Sequence, residues 1–181
     1  MDWDQVVADL IRWEGNVPHM YLDTVGNVTV GVGHLIADVT AAQQLGFVNR
    51  SSGVKATPAE IRDDFESTVQ QPPGRLPQYY EKFTKLDLPA DERIAILRSQ
   101  IQQCDQGLAR SFAGYDGYPI NPRRALIDMC FNLGLTTLLA QFKRLRHACE
   151  AGDWNTAAVE SWRLGISGER NEWTKQLFLM P

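Results

Sequence analysis

Three side chains that can take part in acid–base chemistry lie within residues 13–36, which read WEGNVPHMYLDTVGNVTVGVGHLI. Asp23 follows Glu14 by nine positions, and Thr29 follows Asp23 by six, in a segment made mostly of glycines and apolar residues. Two carboxyl groups whose surroundings push their pKa values apart are typical of glycoside hydrolysis, with one protonated acid and one carboxylate. The hydroxyl group of Thr29 could hold a water molecule beside them.

The expected surroundings of the two acids differ. Glu14 falls in the last turn of a predicted helix, next to Trp13, so the helix dipole and desolvation both favour its protonated form. A carboxylic acid that stays neutral to about pH 6 is suited to general acid catalysis. Asp23 precedes the predicted Gly26–Asn27 turn, where we expect it to be more solvated and ionised. Both positions are also ordinary ones for acidic residues in proteins without catalytic function.

The helix that would carry Glu14 is predicted from the apolar side chains of residues 2–13. These recur at the i, i+3, i+4, i+7 spacing of an amphipathic helix, at Trp3, Val6, Val7, Leu10 and Ile11. Asp2 can cap the start of this helix, and Gly15 is well placed to end it.

The period changes to two between Met20 and Leu35, which predicts a β-hairpin or a small sheet. Valines at 28, 30 and 32 alternate with Thr29, Gly31 and Gly33. A three-residue loop centred on Gly26 would place Asp23 opposite Thr29, whereas a two-residue Gly26–Asn27 turn would put Asp23 on the other face. Because Gly31 and Gly33 would share the face of Thr29, this face would be bare enough to form the floor of a sugar-binding cleft.

The rest of the chain is predicted to be helical, with the hairpin as the one convincing β element. A helix begins at Thr57, with the capping-box pattern Thr57-Pro58-Ala59-Glu60, and breaks at residues 70–77. A second helix is predicted over residues 87–108, a loop over 111–122, and successive helices from residue 123 onward. The chain is therefore predicted to be a mainly helical α+β domain with an N-terminal helix, a small antiparallel sheet and a larger helical part.

Composition excludes several classes of function. The net charge is -4 and the pI is near 5.4, so nucleic acid is not an expected partner. No apolar run is long enough to cross a membrane, and the N-terminal MDWDQ does not resemble a signal peptide. The three cysteines, at 104, 130 and 149, lack zinc-site or disulfide spacing, so we predict neither a metal site nor a cofactor.

The residues around the acids closely resemble the bacteriophage T4 lysozyme family, the phage-type muramidases. That family carries a Glu/Asp/Thr trio at these intervals, followed by a GxGHL run that here reads Gly31-Val32-Gly33-His34-Leu35. The segment RRALIDMCFNLG (residues 123–134) is similar to a central helix of the family and its end. The resemblance implies a lysozyme-like fold, with a cleft between the two lobes.

The resemblance also implies roles for individual residues. Glu14 would protonate the β-1,4 glycosidic oxygen between N-acetylmuramic acid and N-acetylglucosamine. Asp23, helped by Thr29, would stabilise the oxocarbenium ion or position the water, with inversion at the anomeric carbon. Four further residues are implied to bind the sugar: Gly33, Leu35, Phe131 and Asn132. No role is assigned to Tyr21, and for Phe131 plain core packing is an equal alternative.

The resemblance covers most of the chain as a single lysozyme-like domain. Within it, residues 14–65 are expected to form the small β-containing lobe, and residues 1–13 and 122–181 the helical lobe. Residues 70–121 form an extra helical and loop insertion, roughly thirty residues beyond the family's usual form, and segments of this size are often either functional or disordered. In the family His34 pairs with an acid on the next helix; here the matching position is Thr68, so the pair is either absent or moved to Asp64 or Glu66.

The sequence thus predicts a monomeric glycoside hydrolase that acts on bacterial peptidoglycan without inserting into membranes. It would be made in the cytoplasm and act in the periplasm or cell wall, delivered either by a phage holin or by a secretion apparatus. In the second case the chain is an antibacterial toxin, with an immunity protein as partner. The alternatives are a lytic transglycosylase, which needs only one catalytic acid, and a non-catalytic module that binds peptidoglycan.

Overall fold

The computed structural model describes all residues, 1–181. The helices are α1 (Trp3–Glu14), α2 (Val39–Gln43), α3 (Pro58–Val69), α4 (Ala90–Ser111), α5 (Ile120–Leu133), α6 (Leu135–Gln141), α7 (Lys143–Glu150), α8 (Trp154–Glu160) and α9 (Gly168–Leu179). The strands are β1 (Val17–Leu22), β2 (Val28–Gly31), β3 (His34–Leu35), β4 (Val48–Asn49) and β5 (Leu86–Asp87). The predicted mainly helical α+β class is confirmed. The chain divides into a sheet-containing unit, residues 10–98, and a helical unit, residues 1–9 with 99–181.

Helix α1 begins and ends as its sequence predicts. The side chain of Asp2 accepts hydrogen bonds from the amides of Asp4 and Gln5, at 3.1 and 3.2 Å, which caps the first turn. Gly15 has a φ of +79° and its amide donates to the carbonyl of Ile11 at 3.0 Å. This left-handed conformation, which glycine adopts without strain, ends the helix directly after Glu14.

Strands β1, β2 and β3 form an antiparallel sheet with β2 in the centre. Tyr21 lies opposite Thr29, and Leu22 lies opposite Val28, so the hairpin loop has five residues, 23–27. Both predicted registers are therefore wrong, because each assumed a shorter loop. The reason is local: the carboxylate of Asp23 accepts hydrogen bonds from the amides of Val25 and Asn27, which stabilises the longer loop.

The predicted alternation past Gly31 is also wrong. Strand β2 ends at Gly31, and Val32 and Gly33 form the turn that leads into β3. Gly31 and Gly33 have φ values of +64° and +70°, which residues of a regular strand do not adopt. These two glycines allow the backbone to make this turn, so they do not form a bare strand face beside Thr29.

The structure contains a second, two-stranded sheet that the sequence analysis did not predict. Val48 of β4 lies opposite Asp87 of β5, and Asn49 lies opposite Leu86. Each strand has only two residues, which is too short to produce a detectable period. Arg50 strengthens this pairing, because its guanidinium group contacts Asp87 at 2.9 Å and donates to the hydroxyl of Thr84 at 3.1 Å.

The core of the sheet-containing unit lies where α3 packs against β1 and β2. Its buried side chains come from both sheets, from α2 and α3 and from their connections: Met20, Leu22, Val28, Val30, Ile36, Ala42, Phe47, Ala56, Ile61, Tyr80, Leu86 and Leu88. Helix α3 begins with the predicted capping box between Thr57 and Glu60. The segment 70–121 contributes Tyr80, Leu86 and Leu88 to this core, and its residues are divided between the two units at position 98.

In the helical unit, α5 packs against α6 and α9, and α8 packs against α7 and α9. The predicted helical stripe over residues 139–149 is two helices, α6 and α7, interrupted at Phe142. The buried carboxylate of Asp128 on α5 accepts hydrogen bonds from Arg163 at 2.6 Å and from Arg170 at 2.7 Å. No helix in either unit is long and apolar enough to cross a membrane.

Candidate active site

Glu14 is the last residue of α1 and is half-buried. One carboxylate oxygen, Oε1, is excluded from solvent, as is the indole nitrogen of the neighbouring Trp13. The guanidinium group of Arg12 lies over the Trp13 ring, 4.4 Å from its centroid. The helix end therefore presents a carboxyl group with one sheltered oxygen, in the position that the sequence predicts.

Asp23 is the first residue of the hairpin loop and is half-buried. Its Oδ1 accepts hydrogen bonds from the amides of Val25 and Asn27, at 2.9 and 2.8 Å, and Oδ2 accepts one from the side-chain amide of Asn27 at 3.0 Å. Partial burial acts to raise the pKa of Asp23, but these hydrogen bonds together outweigh it and hold the pKa below its usual value. Asp23 is therefore an ionised carboxylate at neutral pH.

Thr29 lies on the central strand β2 and is buried. Its hydroxyl group donates a hydrogen bond to the carbonyl of Asn27 at 3.2 Å. Because the proton is used in this contact, the hydroxyl oxygen retains lone pairs that can accept a hydrogen bond from a water molecule or a ligand.

Tyr21 is the residue of this site that the sequence analysis missed. It is half-buried on β1, directly opposite Thr29 on the sheet. Burial raises the pKa of the Tyr21 hydroxyl, and the negative charges of Asp23 and Glu14 raise it further. The Tyr21 hydroxyl is thus a protonated donor within the electric field of both acids. The period of two along β1 could have found it, because Tyr21 alternates with the buried Met20 and Leu22.

Leu35 and Gly33 lie beside these residues in the same unit. Leu35 on β3 is opposite Thr29, so Tyr21, Thr29 and Leu35 form one row across the three strands. The Leu35 side chain is 54% exposed, and Gly33 is exposed in the turn before it. An exposed leucine at the end of this row is suited to apolar contact with a ligand.

The predicted ligand-binding residues Phe131 and Asn132 lie on α5 in the helical unit. Both are half-buried, and the side-chain oxygen of Asn132 accepts a hydrogen bond from Arg163 at 3.3 Å. Arg163 also lines a pocket of about 560 Å³, together with Leu133, Phe142, Arg144, Glu160 and Trp162. Neither Phe131 nor Asn132 lines this pocket, and their predicted role stays a prediction.

His34 has no ion-pair partner on α3. The carboxylate of Asp64 instead accepts hydrogen bonds from the backbone amides of Lys85 and Leu86, both at 2.8 Å, and thereby holds β5. Burial lowers the pKa of His34, and no neighbouring charge opposes this shift. Of the two alternatives for this histidine, the loss of the ion pair is the one observed.

No group of three or more His, Cys, Asp or Glu side chains is arranged to hold a metal ion. The three cysteines are free; Cys130 and Cys149 are buried and Cys104 is half-buried. The chemical groups of the site are therefore two carboxyl groups and two hydroxyl groups, carried by α1, β1, β2 and the hairpin loop.

The chain is 25% identical over 155 residues to a probable T4-type lysozyme 2 from Dictyostelium discoideum, which covers 85% of this chain and 80% of the relative. No protein-family model matches the chain.

The fold is that of lysozymes. A point mutant of P22 lysozyme superposes with a TM-score of 0.59 at 16% identity, over 97% of this chain and 95% of the other. The muramidase domain of SpmX from Asticaccaulis excentricus superposes with a TM-score of 0.58 at 17% identity, over 98% and 96% of the two chains. The predicted resemblance to the T4 lysozyme family is thus confirmed, in sequence by the Dictyostelium relative and in fold by the two structures.

Proposed function

We propose that this chain is a muramidase that hydrolyses the β-1,4 bond between N-acetylmuramic acid and N-acetylglucosamine in bacterial peptidoglycan. The observation that carries the proposal is the placement of the acids at the two ends of one short segment: Glu14 ends α1 and Asp23 directly follows β1, the strand that sets Tyr21 opposite Thr29. The negative charges of both acids act on the Tyr21 hydroxyl. Glycoside hydrolysis requires two carboxyl groups that act at the same bond, one of them ionised. Here the hydrogen bonds to Asp23 keep that carboxyl group ionised. The resemblance to lysozymes in sequence and fold supports the same reaction class.

In the proposed mechanism, Glu14 donates its proton to the glycosidic oxygen as the bond to the anomeric carbon breaks. The negative charge of Asp23 stabilises the positive charge that develops on the sugar ring. The oxygen of Thr29 accepts a hydrogen bond from the water that attacks this carbon, and the carboxylate of Asp23 takes the proton that this water loses. The proton on Asp23 then passes to solvent, and Glu14, left as the carboxylate, takes up a proton from solvent before the next turnover. Attack from the face opposite the leaving group would invert the anomeric centre, so α-anomeric product is expected at early times.

Mass spectrometry of fragments released from purified peptidoglycan tests the proposal. Wild-type protein should release muropeptides with free reducing N-acetylmuramic acid ends. Glu14→Gln should lower the rate by about 100- to 10,000-fold, because it removes the transferable proton. Glu66→Gln, at an exposed acid on α3, is the matched control and should retain the wild-type rate.

Other products would identify a different function. Anhydro-muramic ends would indicate a lytic transglycosylase and would leave Asp23 without a catalytic role. Retained binding to the wall without fragments from the wild-type protein would indicate a peptidoglycan-binding module.

The proposal places the site of action in the periplasm or cell wall, reached through a phage holin or as a secreted antibacterial effector with an immunity protein as partner. Export of the chain to the periplasm of a test bacterium should cause lysis, whereas cytoplasmic expression should not. Rescue by a co-expressed periplasmic protein from the same source would favour the effector. Lysis on cytoplasmic expression without export would contradict the proposed site of action.

A further inference from the structure

Arg93, in the first turn of α4, contacts both segments that carry the proposed catalytic groups. The hydrocarbon part of its half-buried side chain packs over Gly31, where an added Cβ atom would lie 3.6 Å from Arg93 Cδ. Gly31 ends β2, two residues after Thr29. This distance is an ordinary van der Waals contact, so the Arg93 side chain packs directly over the end of the strand.

The guanidinium group of Arg93 reaches the segment that follows Glu14. Its Nε donates a hydrogen bond to the side-chain oxygen of Asn16 at 2.7 Å, and its Nη1 donates to the carbonyl of Leu88. Asn16 belongs to the two-residue link between α1 and β1, so it lies two residues after Glu14. The amide of Leu88 donates to the carbonyl of Pro18 at 2.7 Å, which holds the start of β1 to the same point.

An ordinary surface ion pair does not account for Arg93. The acid whose charge acts on the Arg93 pKa is Asp87, and the Asp87 carboxylate is paired with Arg50 at 2.9 Å. Burial removes part of the hydration of the Arg93 guanidinium group and thereby lowers its pKa. The neutral oxygens of Asn16 and Leu88 accept hydrogen bonds in place of the lost water. The planar fork of arginine can donate from Nε and Nη1 in two directions at once, which the ammonium group of lysine cannot reproduce.

We infer that Arg93 is a positioning residue: it fixes the end of α1 that carries Glu14 against the strand that carries Thr29. This inference rests on the proposed function. Arg93 contacts neither carboxylate of the pair, so its effect on the reaction runs through Asn16 and Gly31. Loss of the Arg93 contacts should lower kcat and leave KM nearly unchanged, since displacement of a catalytic group affects the transition state more than substrate binding.

The test compares Arg93→Met, Asn16→Ala and the double variant in peptidoglycan hydrolysis per folded molecule. Arg93→Met keeps the hydrocarbon packing over Gly31, and Asn16→Ala changes only the half-buried link and should fold normally. Each single variant should lower kcat at least tenfold with KM within twofold of wild type. The double variant should lose no more than the stronger single variant, because both changes break the same contact.

Two further variants sharpen the result. Arg93→Lys should recover less than half of the lost kcat, because one ammonium group cannot hold both oxygens. Arg62→Met, at an exposed arginine on α3, should match wild type. A wild-type kcat in Arg93→Met with only a lower melting temperature, or multiplied losses in the double variant, would overturn the inference while the proposed function stands. An inactive wild-type protein would overturn both.

Discussion

At the scale of single residues, the chemistry of the site depends on how the chain surrounds Asp23. Three donors from Val25 and Asn27 face its two oxygens, and they lower its pKa although partial burial opposes them. An acid whose pKa is lower in the folded than in the unfolded state stabilises the fold above its unfolded pKa. This contribution is lost as the pH falls through the folded pKa.

Asn27→Ala removes the side-chain donor at 3.0 Å and keeps both backbone donors. We expect the pKa of Asp23 to rise towards its usual value, and the acid limb of the kcat profile to move to higher pH with it. An NMR titration of the Asp23 carboxyl carbon, together with kcat measured between pH 3 and 7, checks both effects. Asn155→Ala, at an exposed asparagine in the helical unit, should change neither. An unchanged titration in Asn27→Ala would show that the backbone donors of Val25 and Asn27 set the pKa without the side chain of Asn27.

At the scale of elements, α5 is tied to α9 and to the segment before it by buried charges. Asp128 is 2% exposed, and it accepts hydrogen bonds from Arg163 and Arg170, which are 1% and 4% exposed. Thr174 on α9 also donates to Asp128, at 3.2 Å. The carboxylate thus holds together two cations whose hydration has been removed.

Asp128→Asn should be strongly destabilising, because two buried guanidinium groups lose the negative charge that they share. The expected loss is about 3–5 kcal/mol in the free energy of unfolding, measured by urea denaturation. Glu160→Gln is the matched control: its partner Arg144 lies 3.7 Å away and is 85% exposed, so its loss should stay below about 1 kcal/mol. Equal losses in the two variants would contradict the assigned role of Asp128.

Several elements follow from the sequence because their determinants are local. The apolar spacing of residues 3–11, the cap at Asp2 and the stop at Gly15 all act within one or two helical turns, as does the Thr57 capping box. Strands β4 and β5 could not be predicted in this way, because two residues give no period and each strand requires its distant partner. The helix predicted to begin at Asp87 instead begins at Ala90, because Leu86 and Asp87 pair with β4.

At the scale of the whole molecule, the net charge of -4 sets the long-range interaction with an anionic substrate. Two neighbouring arginines are also engaged in ion pairs: Arg123 with Asp105 at 3.1 Å and Arg124 with Asp9 at 2.7 Å. The chain therefore lacks the general positive field that would draw it to a polyanion. Binding to peptidoglycan should depend on short-range contacts.

This charge predicts a weak dependence of activity on salt. Between about 50 and 200 mM salt the Debye length shortens, which weakens long-range attraction and repulsion alike. We expect the rate of peptidoglycan hydrolysis to stay constant or to rise slightly over this range. The loss of turbidity of purified peptidoglycan at fixed pH measures this rate. The rate of a variant in which two exposed acids on α3 are changed to lysines (Asp63→Lys, Glu66→Lys) should depend more strongly on salt. A steep fall for the wild-type protein would indicate a local basic surface that dominates binding.

The sequence by itself determined the types and spacing of the acids, the helix that ends at Glu14, the helical character of the second half and the resemblance to lysozymes. Each depends on residues close together in the chain, where periodicity, caps and helix-ending glycines act. Only the tertiary structure decided the register that sets Tyr21 opposite Thr29, the five-residue loop around Asp23 and the reach of Arg93 to Asn16. The contact of Arg93 with Asn16 joins residues far apart in the chain, so no local pattern reveals it. The loop and the register depend on hydrogen bonds to the Asp23 side chain, which the alternation of apolar residues does not show, so the pattern left several arrangements open.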